Sequence, residues 1–155
     1  MSRTRRDDYP HFRSFTPRWR DNDVYGHVNN AVFYEFVDSV VNGWLIEAGG
    51  MRVPDGPVIC LVVESGCTYH ASLAYPEPVQ TGLRTLRVGE TSITYGIGLF
   101  AHGAAEAAAD ARFTHVCVDG ASRRPVPIPA ALRAALRALD PGRRAGEASR
   151  EHVRR

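Results

Sequence analysis

The chain has 155 residues, which fits one domain with a sizeable core, and 44% of them are apolar. A formal net charge of +2 and 23% charged residues exclude a disordered composition and a strongly basic nucleic-acid binder. No apolar run approaches the roughly 18 residues of a membrane span, so neither nucleic acid nor a membrane is expected as a partner.

Residues 1–10 read as a flexible N-terminal arm, charged and polar, with no signal-peptide pattern. His11 to Arg20 predicts a first strand with Phe15 and Trp19 on one face and Phe12 on the other. Pro17 favours an edge position for it. A polar loop, Asp21 to Asn30, follows. The spacing of Phe33, Phe36, Val37, Val40 and Trp44 then predicts a long helix over 31–48. Asn29 or Asn30 suits its cap, and Gly49-Gly50 its stop.

Val58 to Val63 is continuously apolar and predicts a central strand covered on both faces, continuing to His70 with a bulge at Gly66. Tyr75 to Pro78 is a turn, and Val79 to Val88 a further strand. From Thr91 the alternation is strict. Ile93, Tyr95, Ile97 and Leu99 face one way, and Ser92, Thr94, Gly96 and Gly98 the other, as in a half-buried strand. Residues 105–118 read as one long strand, Asp119-Gly120 as a turn, and Ala130 to Leu139 as a short helix. Residues 141–155 read as a disordered tail, leaving 11–140 as the domain. One long helix cannot cover both faces of a parallel sheet. The expected class is therefore α+β, with an antiparallel sheet wrapped around that helix.

Cys60, Cys67 and Cys117 sit in apolar, strand-like runs as core filler. An odd count with no close pair along the chain predicts reduced thiols and a cytoplasmic protein. The Gly96-Ile97-Gly98-Leu99-Phe100-Ala101 run matches a dinucleotide fingerprint only on paper, because the strand alternation runs through both glycines. Asp21, Asp23 and His27 lack the further His or Cys residues of a metal cluster, so no metal is expected. The remaining histidines, His70 among them, are scattered and read as surface or hydrogen-bonded core residues.

The loop Asp21-Asn22-Asp23-Val24-Tyr25-Gly26-His27-Val28-Asn29-Asn30 carries the chemistry. It sets carboxylates, an imidazole, a glycine turn and two amides against a helix start, where unpaired N–H groups and a positive dipole end collect. A carboxylate there can attack a carbonyl, or activate water to do so, while the N–H groups receive the developing charge. His27 and Asn29 are candidates to orient Asp23 or the water. Asp23 equally suits an Asx-turn, Asn29 and Asn30 simple caps, and Gly26 a simple turn.

The loop, the aromatic-rich helix start Phe33-Tyr34-Glu35-Phe36-Val37-Asp38, and the later Gly89-Glu90-Thr91-Ser92 and Arg124-Pro125-Val126-Pro127-Ile128-Pro129 segments occur in a familiar order. Over about residues 12–135 the chain resembles the hot-dog-fold acyl-CoA thioesterases of the 4-hydroxybenzoyl-CoA thioesterase type. The resemblance implies a hot-dog fold and no cofactor. It implies a homodimer or homotetramer with active sites at subunit interfaces, and hydrolysis of an acyl-CoA or acyl-carrier-protein thioester. It assigns catalysis to Asp23, as nucleophile or general base, and the oxyanion donor to the Asn30 backbone N–H. Asp38 falls on a second acidic position of structural character. Some relatives carry a basic pair where this chain has Val88-Gly89-Glu90-Thr91. Arg123 and Arg124 are then the candidates for CoA phosphates, with Tyr25 and Ser92 as further substrate contacts. The competing reading is a hot-dog domain that binds acyl-CoA without turnover.

Overall fold

The computed structural model describes residues 2–143. Strand β1 (His11–Phe15) leads through the polar loop into helix α1 (Asn30–Glu47). Four strands follow, β2 (Val58–Tyr69), β3 (Val79–Val88), β4 (Ser92–Ala101) and β5 (Ala109–Asp119), and a short helix α2 (Ala130–Leu136). The strands form one antiparallel sheet in the order β1-β3-β4-β5-β2, whose inner face packs on α1. This is the sheet wrapped around one helix that the α+β pattern and the hot-dog resemblance predict.

The helical stripe is the core. Phe33, Phe36, Val37, Val40 and Trp44 are all buried, with Val41 and Leu45 beside them. They meet Ile93, Tyr95, Ile97 and Leu99 of β4, all four fully buried. Phe15 of β1 stacks on Phe36 with ring centroids 5.5 Å apart. Burying each such side chain contributes on the order of 1.5–3 kcal/mol, so the 3.6-residue and two-residue periods of the two elements lock one helix face onto one sheet face.

The structure corrects several sequence expectations. β1 ends at Phe15, and Trp19 lies in a 3-10 turn, exposed. β2 is an edge strand rather than a central one. Leu61, Val62 and Val63 are exposed, and its register slips at Val63 rather than at Gly66. β5 starts at Ala109, because residues 102–108 turn the chain and Glu106 bridges to Arg5. Cys60 and Cys117, far apart along the chain, are cross-strand partners with sulfurs 3.7 Å apart, both free thiols. The expected tail begins with residues 141–143, and its remainder lies outside the described residues.

The outer face of β4 is not open either. The segment expected as a loose arm is docked on it. The Tyr9 ring is buried over Gly82 and Gly98, where an added Cβ would lie 2.6–2.9 Å from ring atoms. Glycines in two paired strands thus make the trough that an aromatic ring fills. Phe12 and Phe100 complete the cluster, and Arg6 ties it down by donating twice to the Ala104 carbonyl, at 2.9 and 3.0 Å.

His115 of β5 is 1% exposed between the Tyr95 and Phe113 rings, and its Nδ1 has no hydrogen-bond partner. Burial holds its pKa down at about 4, against an ordinary 6.5. As the pH falls, the unfolded chain takes up this proton before the native state does. Stability is therefore lost between pH 6.5 and about 4. The wild type is expected to lose on the order of 3 kcal/mol more than His115→Leu between pH 7 and 4, read by urea unfolding at each pH. Parallel curves for the two proteins would refute a neutral, buried imidazole.

Candidate active site

The loop before α1 is stitched to itself and to the chain beyond β2. The Asp23 N–H donates to the His27 carbonyl at 2.8 Å, and the Gly26 N–H to the Asp23 carbonyl at 3.1 Å. The Val28 N–H reaches the Leu73 carbonyl at 2.7 Å, and the Asn29 N–H reaches the Asp21 carbonyl at 2.8 Å. Gly26 closes the turn at φ +81°, with nothing within 4 Å of an added Cβ, so backbone conformation rather than space requires glycine there. Asp21 is buried and paired with the Arg18 guanidinium at 2.9 Å. The Arg18 hydrogen bond holds its carboxyl below the usual carboxylate range. Asp21 therefore serves the loop, not a ligand.

The helix start divides its N–H groups unequally. The Asn29 side chain accepts from the Ala31 N–H at 3.0 Å, and the Asn29 carbonyl accepts from the Val32 N–H at 2.9 Å. The Asn30 N–H, first in the helix, has no partner among the described residues. Asn30 lines a cavity of about 350 Å³ with Asp23, His27, Phe33, Tyr69 and His70. The Asp23 carboxylate accepts the Tyr25 N–H at 2.8 Å, so the Asx-turn is real and Asp23 faces the cavity as well. Tyr69 sits edge-on to Phe33 at 5.1 Å, and its hydroxyl donates to the Asn30 carbonyl at 3.3 Å. Burial foremost, then the Cys67 thiol, pushes that hydroxyl's pKa up, so it stays a neutral donor.

The expected site residues separate into two groups. Asp23, His27 and Asn30 share the cavity. Asn29 does not bind Asp23; its amide oxygen is spent on the cap. Tyr25 is 82% exposed and outside the cavity lining. Asp38 holds the Asn42 side chain one turn on. Ser92, Arg123 and Arg124 lie at the other end of the sheet. Ser92 pairs with Val116, and Asp119 ties the Arg123 turn, whereas Asp110 opposite Thr68 marks the cavity end. Along β5, Asp110 lies about 20 Å from Val116 and about 30 Å from Asp119. Within one chain the structure does not bring the two ends together. The residue that sequence reasoning missed is His70. Its ring is bonded to Asp110, 40 positions away, and no local motif marks that pair.

A sheet curled on one capped helix, with Asp23 and the helix start at Asn30 lining one cavity, is the architecture of a hot-dog domain. The thioesterase-like superfamily matches residues 17–136, and the chain belongs to that family. Among solved structures it is similar to the PA5185 protein of Pseudomonas aeruginosa PAO1, with 49% identity and a TM-score of 0.87, covering 89% of this chain and 96% of that one. It is similar to a Thermus thermophilus thioesterase solved with coenzyme A and Zn, with 28% identity and a TM-score of 0.71, covering 86% and 96%. The fold is shared with a Synechocystis 1,4-dihydroxy-2-naphthoyl-CoA thioesterase, with 17% identity and a TM-score of 0.73, covering 83% and 96%. No curated protein matches the chain. Among the described residues, no helix is long and apolar enough to cross a membrane.

Replacing the cap by Asn29→Ala is expected to cost about 1 kcal/mol of stability, read as a lowered denaturation midpoint with unchanged slope. An unchanged midpoint would show that the loop alone fixes the helix start.

Proposed function

We propose that this protein hydrolyses an acyl-CoA thioester to a free acid and a thiol. The observation that carries the reading is the open Asn30 N–H in the same cavity as the Asp23 carboxylate. Asp23 attacks the thioester carbonyl carbon directly, or takes the proton of an attacking water. Both routes send negative charge onto the carbonyl oxygen, where the Asn30 N–H and the positive helix end receive it. A donor of this kind contributes about 100- to 1000-fold in rate. His27, exposed on the cavity wall, is the candidate to orient the water. The relative solved with coenzyme A supports CoA as the thiol carrier, and Cys60 and Cys117, adjacent yet not disulfide-linked, fit a reducing cytoplasm.

The working unit in this reading is a homodimer or a larger oligomer. β2 presents an unpaired edge with exposed Leu61, Val62 and Val63, a surface that single chains rarely leave open. Antiparallel pairing of two β2 edges about a two-fold axis lays the Val58 end of one copy beside the Tyr69 end of the other. Ser92, Arg123 and Arg124 of one copy then approach the Asp23 cavity of the second, which joins the two halves of the predicted site. Arg123 holds φ +61°, a left-handed conformation that non-glycine residues seldom adopt, and such strain gathers at binding sites.

Two measurements test this. Thiol release from a panel of acyl-CoAs is expected to fall at least about 100-fold in Asp23→Ala; equal rates would remove hydrolysis at this cavity. Arg123→Asn keeps a residue tolerant of positive φ and deletes only the guanidinium. Its KM for acyl-CoA is expected to rise about tenfold, with a melting temperature no lower than that of the wild type. An unchanged KM would detach Arg123 from the CoA phosphates.

A further inference from the structure

The cavity holds two histidines, and they differ in how they are held. His27 is exposed, and its ring has no hydrogen bond among the described residues. His70 is only 14% exposed at its side chain, and its Nε2 lies 2.8 Å from Asp110 Oδ2. Asp110 is fixed in turn. Its Oδ1 accepts the Thr4 hydroxyl, and its Oδ2 the Thr4 N–H at 3.4 Å. With the Thr4 proton spent on Asp110, the Tyr9 hydroxyl donates to Thr4 Oγ1, at 2.9 Å. Burial foremost raises the Tyr9 pKa to about 12, so it keeps the proton this chain of bonds needs. The Arg3 guanidinium adds a bond to the His70 carbonyl at 2.8 Å.

Every link therefore runs one way, from Tyr9 through Thr4 to Asp110, with His70 donating to Asp110 from the other side. A carboxylate only accepts, so the proton on Nε2 is committed to it. Nδ1 has no partner among the described residues and is the ring atom free to exchange a proton. Hydrogen bonds of this kind set both the tautomer and the ring orientation of a histidine. The exposed His27 has no such support. A network reaching from the buried Tyr9 to the cavity wall is more than a lone surface contact requires.

We propose that His70 is a further catalytic residue, the proton donor to the departing sulfur, and that Asp110 and Thr4 are its positioning residues. This rests on the thioesterase reading above. The C–S bond breaks with its electron pair passing to sulfur, and the Nδ1 proton of the His70 imidazolium passes to that sulfur. Water supplies a hydroxyl to the acyl carbon, and its other proton, taken up by Asp23 as the water adds, is returned to the His70 ring. Water is consumed, acid and thiol are released, and Asp23 and His70 end in their starting states. The docked N-terminal segment thereby becomes part of the active site.

The test uses the leaving group. The acyl chain that the wild type turns over fastest is presented on two thiols, coenzyme A and a strongly acidic aryl thiol whose thiolate departs without a proton. His70→Gln retains an amide that can donate to Asp110 but carries no exchangeable acid. It is expected to lower kcat about 100-fold on the CoA thioester and less than about threefold on the aryl thioester. Asp110→Asn serves as the second variant, with a smaller loss of the same leaving-group dependence. An equal loss on both substrates means that His70 is structural, and no loss on either means that it is a bystander; both overturn the proposal. If Asp23→Ala abolishes turnover of both substrates while His70→Gln matches the wild type, hydrolysis stands and only His70 falls. If the wild type releases no thiol from any acyl-CoA, the reading beneath it falls too.

Discussion

The lock between the α1 stripe and the inner face of the sheet is the constraint on which the rest of this structure depends. Val40 and Val41 are 0% exposed, as are Ile93, Tyr95, Ile97 and Leu99 opposite. Rotating the helix by one residue, about 100°, would drive Glu35 or Asn42 into that face, and burying such groups unpaired costs several kcal/mol. Rotation about the axis is thus fixed by packing, and position along the axis by the Asn29 cap and the Asn29 N–H on the Asp21 carbonyl. Together they fix where the first turn of α1 opens. A preorganised donor is worth more than a mobile one because nothing must be ordered when charge develops. At the start of α1 that order comes from the Asn29 cap together with hydrophobic contacts that run from Phe33, within one turn, to Leu45.

The outer face of the same sheet shows a second use of β4. Its glycines are not there for the inner core. Gly98 and its partner Gly82 leave room for the Tyr9 ring, and Tyr9 in turn anchors a segment otherwise rich in Arg and Asp. That segment is held by hydrogen bonds to the residues just before β5: the Ala104 and Ala105 carbonyls accept from Arg6, and the Ala107 N–H donates to the Thr4 carbonyl. Thr4 is thereby delivered to Asp110, and Asp110 to His70. One strand thus carries a core on one side, while on the other it anchors the network that ends at the cavity wall.

What the sequence makes legible follows from this arrangement. The helix stripe and the inward set of β4 are local periods and appear as expected, whereas the other face of β4, expected open, is covered. The ten-residue loop is legible because its glycine turn, its cap and its carboxylate are adjacent in the chain. The place of β2 is not legible, because continuous apolarity has the same look in a central strand and in an edge exposing Leu61, Val62 and Val63. The docking of residues 2–10 was not legible, since the segment is polar and a single buried tyrosine gives no period. His70 was hidden for a related reason. Its partner lies 40 residues on and meets it only because β2 and β5 pair antiparallel, with Tyr69 opposite Ala109. Sequence reading finds chemistry carried by one segment and misses chemistry that two strands assemble.

The turn at Asp119 lies at the far end of the sheet from the cavity. Asp119 accepts from the Ser122 and Ala121 N–H groups, which hold its carboxyl below the usual range, and the Arg123 N–H closes back onto the Asp119 carbonyl. This geometry demands φ +61° at position 123. For a residue with a Cβ, that conformation costs roughly 1–2 kcal/mol. A glycine or an asparagine would close the same turn at less backbone cost, so turn formation does not account for arginine there. The guanidinium is exposed, and burial does not account for it either. A phosphate brought to it by the proposed pairing of β2 edges would. In the proposed dimer the strain is then the cost of presenting a fixed positive charge to a ligand of the neighbouring copy.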